Sequence, residues 1–528
     1  SYRPLVRMDD VLAEDAPEIH KRTRNIVKEH AYTAGGDWEQ AKKESDHLIE
    51  GCYETQVMQH CHLENHSAYA YMDDLEHIVI VTSTQIPHIV RRIVGEALGL
   101  PLSQIRVIKP YVGGGFGNKQ DVVLEPMVAF LTMKLGGVPV KLRLDREEGM
   151  IGTRVRHPFR VQMELGVQKD GTVKLINFDA LSNTGAYASH GHSIAAAAAA
   201  KAHYMYPRAV YRCHARTIYG NFPAAGAMRG YGSPQMTFAV DCAMEDAARI
   251  LGMDSVEFRL KNAVKPGDMN QIGKRPIMTA GLVECIEKGR RLIGWEKKRA
   301  DWPTSQIGPV RRGLGLACFS YLSGTYPVCV EVASAALILN QDGSVHLRVG
   351  ATEIGQGSDT AFAQMAAETL GIPFTSVHLV STQDTDVTPF DTGAYASRQT
   401  YVGGQAVMRT AQELKKKILD YVGVITGMNP LDLDILDGNI VVARTPNGWS
   451  PPSGVGAGAA SFGLQLGARN SDLVFVLNTP ERSLVGREYY LLENNHLFEA
   501  GFLGLEENLP LFERVVATIV FPTGEEWP

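Results

Sequence analysis

The sequence predicts a mixed α/β protein, and three observations carry that prediction. Short β-branched runs repeatedly feed a glycine-rich loop that opens into a helix. Residues 156–186 alternate in polarity on both sides of a K-D-G-T string, the pattern of two long strands joined by a turn. The chain is 45% hydrophobic and 21% charged, a composition that belongs to folded globular proteins rather than disordered or fibrous ones.

Three strand–loop–helix modules stand out. In the first, the strand HIVIVTS (77–83) runs through TQIP into an amphipathic helix over 88–98 that Gly99 ends. In the second, QIRVIK (104–109) leads through YVGGGFGNKQ into a helix from about 121 to 135. In the third, VHLRVGA (345–351) leads through TEIGQGSDT into a helix ending near Gly371, followed by the strand SVHLVS (376–381). A second turn is expected at NQDG (340–343), and a further helix over about 235–251.

A chain of 528 residues suggests about three or four domains at roughly 150 residues each. The polar stretch 297–312, with two prolines and ending in Arg-Arg, is the expected linker. Residues 1–300 and 313–450 are then two subdomains, and 451–528 is a separate tail of different composition. From residue 451 the chain has no Lys, Met or Cys, and it opens with PPSGVGAGAASFG, a stretch typical of linkers. The start lacks both an initiator Met and the apolar segment of a signal peptide, which suggests that a beginning is missing.

Charge and cysteine content exclude several function classes. With 52 basic and 58 acidic side chains the net charge is −6, which gives no reason to expect nucleic acid or an anionic membrane as partner. No apolar run approaches the roughly 18 residues a spanning helix needs; the nearest oddity is six alanines at 195–200. The seven cysteines form no C-x-x-C, so the usual iron–sulfur and zinc-ribbon spacings are absent, and their odd number points to a reducing compartment, the cytoplasm.

Four small-residue loops sit where strands give way to helices, a position at which backbone N–H groups and the helix dipole favour an anion. The first, Gly113-Gly114-Gly115-Phe116-Gly117-Asn118-Lys119, fits neither a P-loop nor a dinucleotide fingerprint, and it places an aromatic ring where glycine clears the backbone. The second, at 228–235, carries Arg229, whose guanidinium suits a phosphate or carboxylate. The third (353–357) and fourth (393–400) lie in the second half. Four such loops in one chain suggest a large anionic cofactor held by backbone amides and amide side chains. Gln59-His60-Cys61-His62-Leu63-Glu64-Asn65-His66 has the look of a metal cluster, joined by His190 and His192. On a strand, His60 and His62 would share a face that excludes Cys61, so buried hydrogen-bonded histidines are the preferred reading. No G-x-S-x-G or H-E-x-x-H supports a serine or zinc hydrolase.

Five strings in this order, STQIPH (83–88), GGGFGNK (113–119), AMRGYGSPQ (227–235), GATEIGQG (350–357) and AYASRQT (394–400), resemble the molybdenum-binding subunit of the xanthine dehydrogenase family. The resemblance is strongest to bacterial three-subunit enzymes and covers roughly residues 1–450. It implies two elongated subdomains enclosing a molybdenum–pterin site, the molybdopterin with or without a terminal nucleotide. Gln85, Phe116, Arg229 and Ala396 are then expected nearest the metal, and Gly115, Gly117, Gln356 and Ser397 on the pterin. Gln120 and Tyr231 are expected to face the substrate, the aromatic ring stacking on a flat heterocycle.

The implied chemistry is hydroxylation of a carbon beside nitrogen with oxygen from water, the metal acting as electrophile and electron sink. The implied substrate is a purine, hypoxanthine or xanthine. The implied partners are an FAD-binding subunit and a [2Fe–2S] subunit, with NAD as electron acceptor. Two family features are missing. No G-x-G-E string supplies the general-base glutamate, the nearest, at 454–457, having Ala in its place, and the substrate-side arginine gives way to alanines at 195–200. These departures leave an aldehyde or other N-heterocycle hydroxylase, or a catalytically silent scaffold, as alternatives.

Overall fold

The computed structural model describes residues 3–21, 23–302, 306–325 and 331–442, together with the backbone of four strands between 463 and 505. Cys329 and the string 454–457 lie outside the described residues. The chain forms two compact units, 1–68, 113–128 and 141–323 in one, 69–112, 129–140 and 324–528 in the other.

The first unit is built on a five-stranded sheet in the order Ile26–Ala34, Val210–Ile218, Val173–Asn183, Phe159–Val167, His47–Thr55. The expected long strands pair antiparallel, Phe178 opposite Met163, around the turn at 168–172. Val173–Asn183 and Val210–Ile218 are parallel, so a crossover must join them. The six alanines fall in that crossover, the helix Gly191–Met205. Alternate residues of the sheet, among them Val161, Met163, Phe178, Ala180, Tyr211 and Cys213, pack against this helix and against Ser233–Leu251 as one core. Small alanine side chains let the helix lie close to the sheet.

The second unit contains two parallel pairs with a helix between the strands of each. Ile78–Thr82 and Ile105–Lys109 are parallel, and the intervening helix Pro87–Leu98 ends on Gly99, a left-handed residue at φ 68°. Val345–Val349 pairs in parallel with Val377–Leu379 across the helix Ser358–Leu370. Phe362, Ala366 and Val407 share a core between that helix and the 23-residue helix Gly404–Thr426. A hairpin, Leu433–Leu436 with Asn439–Val442, turns on Asp437 and Gly438, both at positive φ as a tight two-residue turn demands. Beyond it, Gly463–Arg469, Asp472–Asn478, Ser483–Glu493 and His496–Leu505 form a sequential antiparallel sheet, so part of the compositionally distinct tail has regular backbone.

Two expectations change. The helix predicted from about 121 starts at Glu125, because Asn118–Gln120 form a 3-10 turn and the Glu125 carboxylate takes the N–H groups of Val123 and Leu124. The linker predicted at 297–312 begins inside a helix, Trp295–Asp301, which starts anew after the left-handed Gly294 and is anchored by Trp295, whose indole donates to Asp254 at 3.0 Å. The compact units are discontinuous in sequence: 69–112 and 129–140 group with the residues after 324.

Candidate functional site

The first unit carries six of the ten predicted site residues on two loops. In the loop at 113–120, Glu64 is the organiser. Its carboxylate accepts the Gly113 N–H at 2.7 Å and the Lys119 ammonium at 2.7 Å, and its own N–H returns to Gly113 O. Lys119 has no exposed side-chain surface, and burial pushes its pKa down against the pull of Glu64. A lysine so placed is a tether for the loop, not a phosphate ligand. Gly115 is buried, Gln120 half-buried, and Phe116 is 44% exposed.

Phe116 sits at φ 53°, a left-handed conformation that costs a residue with a Cβ of order 1–3 kcal/mol. Gly117, at φ 106°, is irreplaceable for space as well as angle, since a Cβ there would lie 2.5 Å from Ala227 O. This approach joins the two loops: Arg229 N–H donates to Phe116 O at 2.9 Å. The Arg229 main-chain O in turn accepts from the buried Arg156 at 2.8 Å, while the Arg229 residue is itself exposed. Tyr231 is also left-handed, at φ 33°. Its hydroxyl lies 2.6 Å from Ser193 Oγ and 3.0 Å from His190 Nδ1.

His60 and His62 are buried and hydrogen-bonded as preferred, while His190 is half-buried and His192 exposed, and one correction applies. Only Met58–Gln59 is strand, and Cys61 stands at φ 51°, so the alternating-face argument for His60 and His62 does not apply. His60 Nε2 meets Ala227 O at 2.7 Å and His62 Nδ1 meets Glu64 O at 2.5 Å. Burial holds His60 and His62 down to about 4 and His66 to about 3, so all three are neutral near pH 7. No metal-holding group of three His, Cys, Asp or Glu side chains occurs among the described residues.

The second unit holds the other four. Gln85 is buried at 2% exposure, and its amide donates to Ala394 O at 2.6 Å, which ties the S-T-Q segment to the fourth loop. Ala396 and Ser397 are consecutive left-handed residues at φ 47° and 51°. Arg398, fully buried, holds them from behind: it donates to Glu331 at 2.6 Å, Asp391 at 2.6 Å and Gly393 O at 3.0 Å. Burial pushes the Asp391 carboxyl up, against the pull of Arg398. Burial opposes the charge of Glu331 as well, but donors from Thr325 and Arg398 keep its pKa low.

The third loop corrects an expectation. Its N–H groups do not stand ready for an external anion, because the loop's own Glu353 carboxylate accepts from Gly355 at 2.6 Å, Gly357 at 3.1 Å and Asp359 at 3.0 Å. Gln356 likewise turns inward, bonding Thr352 O at 2.9 Å and Ile354 N–H at 2.6 Å. Among the buried atoms of this unit without a hydrogen-bond partner in the described residues are Thr352 Oγ1, Asp391 Oδ2 and Gln399 Oε1. They leave hydrogen-bonding capacity unspent beside two of the predicted loops, as a polar ligand requires. Left-handed residues bunch on the loops at 113–120 and 228–233 in the first unit and, taken by itself, on the loop at 394–400 in the second, where that unspent capacity suits a polar ligand. Glu64, Glu353 and Arg398 escaped the sequence reading, which weighed the loops and not what braces them. The arginine inside A-S-R-Q-T was the one available signal.

Two family models, each described as a molybdopterin cofactor-binding domain, match residues 19–263 and 288–462. The chain is 53% identical over 435 residues to the putative xanthine dehydrogenase molybdenum-binding subunit of Escherichia coli strain K12, covering 82% of this chain and 57% of that protein. It thus spans little more than half the length of that relative. It is 35% identical over 302 residues to the nicotinate dehydrogenase large molybdopterin subunit of Eubacterium barkeri, covering 56% of this chain and 70% of that one. Among solved structures, the aldehyde oxidoreductase of Desulfovibrio desulfuricans superposes with a TM-score of 0.73 at 28% identity, over 79% of this chain and 46% of the other.

Proposed function

The chain belongs to the xanthine dehydrogenase family of molybdenum-binding subunits, and from that premise we propose that it serves a hydroxylase acting on a purine, hypoxanthine or xanthine. Oxygen comes from water, and the electrons pass to [2Fe–2S] and FAD subunits and on to NAD. No helix among the described residues is long and apolar enough to cross a membrane, in keeping with a cytoplasmic complex.

Gln85, Phe116, Arg229 and Ala396 would hold the metal end of the molybdenum–pterin cofactor, and Gly115, Gly117, Gln356 and Ser397 the pterin, Gln356 only by giving up its bonds to Thr352 O and Ile354 N–H. That group supplies an electrophilic metal that takes up the electrons of the oxidised C–H bond. The chain's own residues bind and orient. Tyr231, its hydroxyl fixed by Ser193 and His190, offers a ring for a flat heterocycle, and the half-buried Gln120 an amide for its ring nitrogens. Glu64 and Arg398 keep the two braced loops in conformations that Phe116, Ala396 and Ser397 would not adopt unaided.

The observation that carries this reading is the coincidence of left-handed backbone with the residues expected at the cofactor. The test is turnover by the full chain co-produced with its partner subunits: xanthine-dependent NAD reduction together with bound molybdenum is expected, and protein that never retains molybdenum would overturn the reading. A nitrogen heterocycle other than a purine, or an aldehyde, is the second reading, favoured because alanines occupy positions 195–200 on the helix beside Tyr231. Nicotinate or benzaldehyde turned over faster than xanthine would establish it. The absence of any G-x-G-E string from these 528 residues favours a third, a scaffold without turnover, which NAD reduction would exclude.

A further inference from the structure

The six-alanine run has so far borne only on the choice of substrate, yet the residues around it converge on one loop. Seen along the helix Gly191–Met205, Ile194, Ala198 and Lys201 fall on one face. The loop that carries Arg229 and Tyr231 lies directly on it. A Cβ on Gly232 would come within 2.8 Å of Ala198 Cβ and 3.1 Å of Ile194 O, so the closeness depends on glycine in the loop and alanine in the helix. At the far end of that face Lys201 is 5% exposed, and its ammonium donates to Gly230 O at 3.3 Å and, more closely, to Tyr231 O. It also lies 4.5 Å from the Tyr321 ring centre and 5.5 Å from that of Tyr231. At the near end, Ser193 and His190 hold the Tyr231 hydroxyl at 2.6 and 3.0 Å.

Among the described residues no carboxylate pairs with Lys201. Burial alone lowers its pKa, to about 8. A buried, unpaired lysine is costly, and its proton donors are spent on the carbonyls of the two residues that set Tyr231 at φ 33°.

We propose that the alanine-rich helix is a ledge built to clamp the 228–233 loop, and that Lys201 is the positioning residue that fixes the backbone of Tyr231 and hence the tilt of its ring. This deepens the reading of Tyr231 as a substrate-facing ring and rests on it only for its consequence in turnover. The clamp itself is testable without cofactor or activity. Arg229 is exposed, so trypsin reports on the loop by cleaving the Arg229–Gly230 bond, and the exposed Arg249 serves as reference within the same unit.

In the full chain, Lys201→Met removes the donors, and Ala198→Val keeps the lysine while filling the ledge. Both are expected to raise the ratio of cleavage at Arg229 to that at Arg249 at least tenfold, with His192→Ala, an exposed residue of the same helix, unchanged. A ratio within twofold of the parent in both variants overturns the clamp, as does an equal rise at both bonds in both variants. In the assembled enzyme Lys201→Met should raise KM for the heterocycle at least fivefold while kcat changes less than twofold. A parent protein inactive on every heterocycle would remove the proposed substrate and leave the cleavage ratio to decide the clamp.

Discussion

In the first unit, left-handed Phe116 and Tyr231 are held by neutral histidines, hydroxyls and main-chain bonds, with Lys201 and the Lys119–Glu64 pair as the charged members. In the second, Ala396 and Ser397 are held by one buried ion cluster, Arg398 between Glu331 and Asp391. Neutral bonds are individually modest, about 1 kcal/mol each, and tolerate the loss of one. A buried ion cluster loses far more when one member is removed, because a desolvated charge is left behind. Acid and mutation should therefore find different weak points in the two units.

Acid gives the largest contrast. Burial holds His60, His62 and His203 to about 4, and His66 and His157 to about 3, against an ordinary value of 6.5. The unfolded chain binds protons first as pH falls through 6.5, so these histidines favour unfolding progressively between pH 6.5 and about 4. Between pH 7 and 5.5 each costs about 1 kcal/mol, or about 5 kcal/mol for the five. In the second unit His88 alone, among the described histidines, is held below its ordinary value. Urea unfolding with pulsed hydrogen exchange should show the first unit weakened and the second nearly unchanged; equal loss in both would break the comparison.

Next comes Arg398→Met, expected to destabilise the second unit by about 3–5 kcal/mol, because Asp391 and Glu331 would be left buried without their cation. The same measurement should find the first unit unaffected. Gly117→Ala should cost about 1–3 kcal/mol in the first unit, from the positive φ and the clash with Ala227 O, read as a lower midpoint of thermal unfolding. Smallest is Ser193→Ala, which removes one bond to the Tyr231 hydroxyl and should cost about 1 kcal/mol. A loss as large as that of Arg398→Met would show that the loop carrying Tyr231 is not held by many small terms.

The loops were legible in the sequence because glycine and small residues are required wherever backbone turns left-handed or approaches closely, and Gly117 is the clearest case. The parallel modules were legible for a similar reason: the strand at 78–82 and the helix ending on Gly99 carry their periodicity and stop signal locally. What braces the loops was not. Glu64 reaches Gly113 across 49 positions and Arg398 reaches Glu331 across 67, and no local pattern announces such pairs. Glu353 misled for the opposite reason. A loop rich in N–H donors looks the same in sequence whether its acceptor is a ligand or its own carboxylate.

The exchange of segments between the units also has a consequence in time. Residues 69–112 leave the ribosome ahead of most of their unit, which apart from 129–140 begins at 324, about two hundred residues later. At roughly 5–20 residues per second that interval is on the order of 10–40 s. During it the parallel pair Ile78–Thr82 and Ile105–Lys109 has its neighbour Ser67–Met72 on one side, but the edge at Ile108 and Lys109 that pairs with Gln383–Asp384 stays open. Synthesis of this protein thus passes through a stage at which nascent apolar strands need shelter, and the demand falls on the chaperones that meet the chain as it emerges.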